Sequence, residues 1–288
     1  MSWAWRSRSC CTAPSALSLV SSHFCVPSSC GGLHNGSVVD SGAHVGGESC
    51  LYADYAPERI VHAVDPIRGN VDLMRARYRD RTNLIPLQAG LGSVDRVVDI
   101  ASTKVVARGI GGRGAAMLRN VAQAKGAPLQ RAEDSSTAFR VLRLDDMFAP
   151  SGAWAHEKLA FAHFDVEGSE LDVLQGARER EVIARDRPVF TCEVATGMTD
   201  YAQNLLDEIA FLGYEAYAFA EKCGDNADCR NLICLPKDRA LQMLSGVPLL
   251  ASASYLVNSS KLLHKPLRWQ LEAGRKQGAK VARSTTCH

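Results

Sequence analysis

Between residues 37 and 236 the chain alternates short apolar runs with helical segments, and this alternation constrains the fold more than any other feature. Runs at 60–64, 84–88, 159–164, 188–194, 214–219 and 230–235 have the length and composition of strands. Segments 48–56, 70–78, 170–177 and 201–212 read as helices, and Gly213 is placed to stop the last of them. Strands separated by helices predict an α/β fold: a mostly parallel sheet with helices on both faces. The last two runs are expected to pair as a hairpin around 222–228. A further strand is expected at 139–144, before a turn at Asp145 and Asp146. Residues 94–138, which include "RGIGGRGAA", fit the pattern poorly and predict a long excursion.

The two ends differ from this middle. Residues 1–39 contain no Asp or Glu, carry Arg6, Arg8 and many serines, and make 1–36 a disordered or targeting leader. The expected location is therefore the cytoplasm, or an organelle if the leader is a transit peptide. Residues 37–240 form the expected domain, and 241–288 a basic tail in which Glu272 is the single acid after Lys261. Net charge is +2, which argues against a general polyanion binder, so no nucleic-acid partner is expected. No stretch approaches the roughly 20 apolar residues of a membrane span, so a soluble protein is expected. None of the ten cysteines forms a C-x-x-C pair. Cys192 sits in an apolar run and reads as a buried reduced thiol, while Cys223, Cys229 and Cys234 match no zinc-ligand template.

Two stretches carry chemistry. The first is "VVDSGAHVGG", residues 38–47: a strand that ends on Asp40 and passes into a turn with Gly42 and Gly46. Parallel sheets bind ligands beyond the carboxyl ends of their strands, so Asp40 belongs at a crevice edge. Glycines there allow close backbone approach or a positive φ. Here the glycines are at 42, 46 and 47, so this turn has neither the G-x-G-x-x-G spacing of a dinucleotide turn nor the G-K-[ST] of a phosphate loop. Asp65 ends the next strand at a separation near that of a ribose-binding acid. An acid beside a glycine turn, followed by a ribose-type acid, suits adenosine with a cationic extension, and S-adenosylmethionine has that description.

The second stretch is "FDVEGSELDVLQGA", residues 164–177. Asp165 and Glu167 follow a strand, Gly168 permits a tight turn, and Glu170 opens a helix. Glu193 ends the next strand. Carboxylates gathered at adjacent strand ends need a cation, a proton or donors to be tolerated. Glu167 and Glu170 have a plainer alternative, capping the helix and facing water.

These stretches, with "VHAVDPIRGN", "RLDDMF", "PVFTCEV" and "NLICLP", resemble the FkbM family of S-adenosylmethionine-dependent methyltransferases, in the family's order, over about residues 36–237. The resemblance implies a class I methyltransferase fold, with a seven-stranded sheet containing one antiparallel strand. It implies that Asp40, Gly42 and Gly46 line the methionine side of the cofactor, that Asp65 holds the ribose, and that adenine lies near Gln88 and Ala89; His44, in the same turn, is read as a further cofactor contact. It further implies methyl transfer to a hydroxyl of a sugar or secondary metabolite. Two departures stand out. His44 occupies a position that is commonly Asn in the family, and a Cys/Ser-rich leader stands where helices precede the first motif.

A hydroxyl acceptor must lose its proton. Asp165, Glu193 and His44 are the candidate bases; His163, two residues before Asp165, either serves as a base or points into the core. Asp165, Glu167 and Glu193 are the alternative ligands of a divalent ion such as Mg²⁺, which would lower the acceptor's pKa. Two rival functions remain at this point: an NAD(P)-linked oxidoreductase, and a non-catalytic protein that keeps the fold and binds the cofactor.

Overall fold

The computed structural model describes residues 35–99, 138–178, 182–194, 199–220, 230–240 and 251–252. Its main sheet is built from β1 (Ser37–Ser41), β2 (Val61–Asp65), β3 (Leu84–Gln88), β7 (Leu159–Phe164), β8 (Val189–Glu193), β9 (Tyr214–Ala220), β10 (Arg230–Pro236) and the two-residue β11 (Ala251–Ser252). The order across this sheet is β11-β9-β10-β8-β7-β1-β2-β3. Strands β3, β2, β1, β7 and β8 run parallel, and β10 is antiparallel to both β8 and β9. The seven-stranded class I methyltransferase sheet expected from the sequence is present, with β11 added at one edge. A smaller sheet of order β4-β6-β5 joins β4 (Gly90–Leu91), β5 (Arg96–Asp99) and β6 (Ala138–Leu142).

Differences from the sequence reading are local. Asp145 and Asp146 lie in a short helix, α3 (Leu144–Met147), rather than in an open turn, because Asp145 accepts the Val182 N–H at 3.0 Å and its own N–H donates to Gly176 O. The run at 139–144 ends two residues early and belongs to the small sheet. The leader, the basic tail, most of 94–138 and the hairpin tip 222–228 lie outside the described residues. So do Cys223 and Cys229, whereas Cys192 and Cys234 are buried free thiols that hydrogen-bond each other. No described helix is long and apolar enough to cross a membrane.

Strand alternation gives the sheet two apolar faces. Val39, Val64, Ala162, Phe164, Phe190 and Cys192 face the core under α4 (Glu170–Gln175), α5 (Val182–Asp186) and α6 (Thr199–Phe211). Val38, Val61, Ala63, Phe161, Val189 and Ile233 face α1 (Gly47–Tyr55) and α2 (Arg68–Arg77), which contribute Cys50, Tyr52, Ala53, Val71 and Met74. Central strands that bury both faces read as continuous apolar runs, which is why the sequence showed runs rather than alternation. Phe190 is fully buried, 5.9 Å from the Phe164 ring and 5.0 Å from that of Tyr214, whose hydroxyl donates to Pro188 O. Phe190→Ala is expected to cost about 3–5 kcal/mol, read as a drop in the denaturant midpoint with the slope unchanged.

Candidate functional site

Register places the site residues in rows. On the face covered by α1 and α2, Val61, Val38, Phe161 and Val189 lie side by side across β2, β1, β7 and β8. The next row on that face is Ala63, Asp40, His163 and Thr191. Two residues further on, at the last strand residue or just past it, come Asp65, Gly42, Asp165 and Glu193. The sheet therefore steps from an apolar row to a mixed polar row and then to a rim of three carboxylates around a glycine.

The turn after β1 is held from both sides. Gly42 N–H and Ala43 N–H donate to Val64 O at 2.9 and 3.1 Å, and Asp165 N–H donates to Ser41 O at 2.9 Å. Gly42 has φ of 88°, and a Cβ there would sit 1.8 Å from Asp165 O. Gly46 caps α1 at φ of 78°, where a Cβ would meet Met74 and Tyr78 of the α2 region at 2.9 Å. Both glycines are thus required by protein packing as well as by backbone conformation. His44 is also left-handed, at φ of 50°, a conformation in which His, like Asn, is enriched.

Asp65 ties this turn to the next strand end. Its carboxylate accepts the His44 N–H at 2.9 Å, the Ile67 N–H at 2.8 Å and an Asn70 side-chain N–H at 3.0 Å. Burial raises its pKa, and these three donors oppose the rise. Oδ2 accepts only the His44 N–H among these bonds, which leaves room for a ligand hydroxyl. Gln88 lies opposite Asp65 in the register, and its amide donates to Ala138 O at 3.2 Å. Ala89 N–H donates to Asp65 O at 3.2 Å. Asp65, Gln88, Ala89 and His44 are therefore brought together around one strand end.

Asp40 is 1% exposed and accepts a hydrogen bond from the Ser49 hydroxyl in the first turn of α1. Burial pushes its pKa up to about 7, against the opposing charge of His163. His163 is equally buried: its Nε2 lies 3.0 Å from Glu48 Oε2, and its Nδ1 lies 2.8 Å from Thr191 Oγ1. Burial alone would lower the His163 pKa, but the hydrogen bond and charge of Glu48, aided by Asp40 and Asp165, raise it to about 9. Of the two sequence readings for His163, the core-facing one describes its position.

The acids after β7 separate into distinct roles. Glu167, at φ of 55°, is turned outward and exposed. Glu170 is buried, so of the two only Glu167 faces water. Glu170 accepts the Val166 and Gly168 N–H groups, each at 3.1 Å, and the Tyr201 hydroxyl at 2.6 Å, which locks the turn to α6. Asp165 and Glu193 hydrogen-bond each other, and burial together with Asp165 pushes the Glu193 pKa up to about 8. A pKa this high leaves Glu193 able to donate its carboxyl proton to Asp165 near neutral pH. Among the described residues, the group whose ligand atoms all lie within 4.8 Å of one another is Asp40, Glu48 and His163 rather than Asp165, Glu167 and Glu193.

Sequence reasoning missed Glu48, Ser49, Thr191 and Tyr201. Two signals were available: His163 shares a face with Asp165 at a spacing of two, and Glu48 sits in the first turn of the helix that covers this face.

The sign of the Glu193 shift gives a stability test. Its folded pKa lies above the unfolded one, so ionisation costs stability as pH rises from about 4.5 towards about 8. Glu193→Gln should remove that loss, and thermal melts at pH 8 should place the variant about 2–4 °C above wild type.

The family model described as "Methyltransferase FkbM domain" matches residues 40–224. Among solved structures, precorrin-6y C5,15-methyltransferase from Geobacter metallireducens is 9% identical, with 76% of this chain and 85% of that one covered at a TM-score of 0.41. An rRNA methylase from Streptococcus thermophilus is 10% identical, with 76% and 93% covered at 0.42. SMU.1697c from Streptococcus mutans, solved in complex with SAH, is 10% identical, with 78% and 98% covered at 0.41. No curated protein matches the chain.

Proposed function

The chain belongs to the FkbM methyltransferase family, and from that premise we propose that it moves a methyl group from S-adenosylmethionine to a hydroxyl oxygen of a small molecule, a sugar or secondary metabolite. The observation that carries the hydroxyl reading is the hydrogen-bonded Asp165–Glu193 pair at the rim of the sheet. When bound, S-adenosylmethionine supplies an activated methyl on a sulfonium, displaced in line by the acceptor. The protein's tasks are to hold the two partners in line and to take the acceptor's proton.

The donor set fits the cofactor. Asp65 offers the open side of Oδ2 to a ribose hydroxyl, with its other oxygen fixed by Ile67 and Asn70. Asp40, two residues before Gly42 and at the base of the turn, presents negative charge to a cationic ligand. Gln88 and Ala89 lie beside Asp65, where an adenine ring attached to that ribose would reach. The N-terminus of α1 adds its positive end to the same region, suited to a carboxylate. The turn after β1, with its glycines at 42, 46 and 47, lacks the spacing of a pyrophosphate turn, which counts against a dinucleotide at this site.

Once Glu193 has given up its proton, the Asp165–Glu193 pair accepts the acceptor's proton and the two carboxyls hold it between them. His44, in the turn beside Asp65, packs at the cofactor's edge and is the second candidate base. Because Glu193 titrates high, a base of this kind needs no metal, and the Mg²⁺ alternative becomes an outcome to be tested.

Methyl transfer to a panel of hydroxylated acceptors should rise with pH through an apparent pKa near 8, since Glu193 must lose its proton for the pair to act as base. Glu193→Gln should abolish that limb, and turnover in EDTA should equal turnover without it. Loss of activity in EDTA would shift the reading to metal assistance, and cofactor binding without transfer to any acceptor would favour a non-catalytic role.

A further inference from the structure

Directly beneath the carboxylate rim, the polar row Asp40–His163–Thr191 is covered by Glu48 of α1. His163 is the one cation of this buried group. Its Nδ1 meets the Thr191 hydroxyl at 2.8 Å and its Nε2 meets Glu48 at 3.0 Å, so both ring nitrogens are engaged. A carboxylate only accepts and a hydroxyl can accept, so the imidazolium satisfies both contacts. The groups facing His163 are Asp40 from β1, Glu48 and the Tyr52 ring from α1, Asp165 on its own strand and Thr191 from β8. The Glu48 side chain is 40% exposed, against 2% for that of His163, so the group opens on the Glu48 side.

We infer that His163 is a positioning residue for the cofactor: as a buried imidazolium it holds Glu48 and Asp40 as carboxylates under the glycine turn, where together they receive the ammonium of the cofactor's amino-acid end. Two carboxylates and one imidazolium leave a single net negative charge, equal and opposite to one ammonium. The inference rests on the reading that S-adenosylmethionine occupies this cleft. Without the imidazolium, two carboxylates with oxygens within 4.8 Å would face each other in a buried setting, and one would take up a proton. A protonated Asp40 offers no charge to the ligand. His163 therefore acts on the cofactor through Asp40 and Glu48, without touching it.

The test is calorimetric titration of the full chain with S-adenosylhomocysteine between pH 6 and 8.5, for wild type, His163→Gln and His163→Lys. Wild-type affinity should climb as pH rises through about 7, where Asp40 ionises, and then level off. In His163→Gln the climb should move to higher pH, weakening binding at pH 6 about tenfold for each unit moved, with the two curves converging at the alkaline end. His163→Lys restores a cation and should restore the wild-type curve. A His163→Gln variant that keeps the wild-type profile, or that is weakened equally at every pH, overturns the role of His163 and leaves the cofactor reading intact. Wild type that binds no S-adenosylhomocysteine at any pH removes the cofactor reading and this role together. Histidine-selective NMR of the ligand-free wild type tests the charge without any variant: both His163 ring nitrogens should carry protons up to about pH 8, and a neutral ring at pH 7 overturns the proposal.

Discussion

The site depends on the register of three parallel strands. Asp40 on β1, His163 on β7 and Thr191 on β8 stand level, so one buried row contains an acid, a base and a hydroxyl: His163 bonds Thr191 and Glu48, and its charge opposes that of Asp40, which Ser49 caps. Buried charge is tolerated only when paired and hydrogen-bonded. A slip of one residue in β7 would turn His163 towards the opposite apolar face and leave Asp40 without its counter-charge. The register that builds the core therefore also sets the electrostatics of the cleft.

The rim row follows from the same register, two residues on. Asp65, Asp165 and Glu193 continue the face that carries Ala63, His163 and Thr191, while Gly42 gives up its side chain because the Asp165 carbonyl occupies that space. Two of these acids take different means of coping with their charge. Asp65 collects three N–H donors, whereas Glu193 keeps a proton in a bond to Asp165. The first means suits an acid that holds and orients a ligand. The second suits one that exchanges protons near neutral pH.

The central sheet was legible in the sequence because its strands bury both faces and appear as apolar runs, four of which stop at an acid: Asp40, Asp65, Asp165 and Glu193. Asp40, Gly42, Asp65 and Asp165 were legible for a related reason: polar or side-chain-free residues directly after such runs mark the sheet edge. The role of Glu170 was not, because its partners Val166, Gly168 and Tyr201 are chosen by the fold and leave no spacing rule. His163 looked ambiguous since a lone histidine in an apolar strand fits either face. Its meaning came from Glu48, 115 positions away in sequence and 3.0 Å away in space. The small sheet of β4, β5 and β6 was only partly visible, since β4 is two residues long and carries almost no pattern.

The central claim is that the acids along this edge frame the nucleoside and amino-acid ends of one methyl donor. A crystal structure of the protein with S-adenosylhomocysteine tests it most directly. The account predicts ribose hydroxyls within hydrogen-bonding distance of Asp65 and the ammonium directed at Asp40 and Glu48 beside the glycine turn. A ligand seated on the opposite face of the sheet, or one with its ribose remote from Asp65, would contradict it.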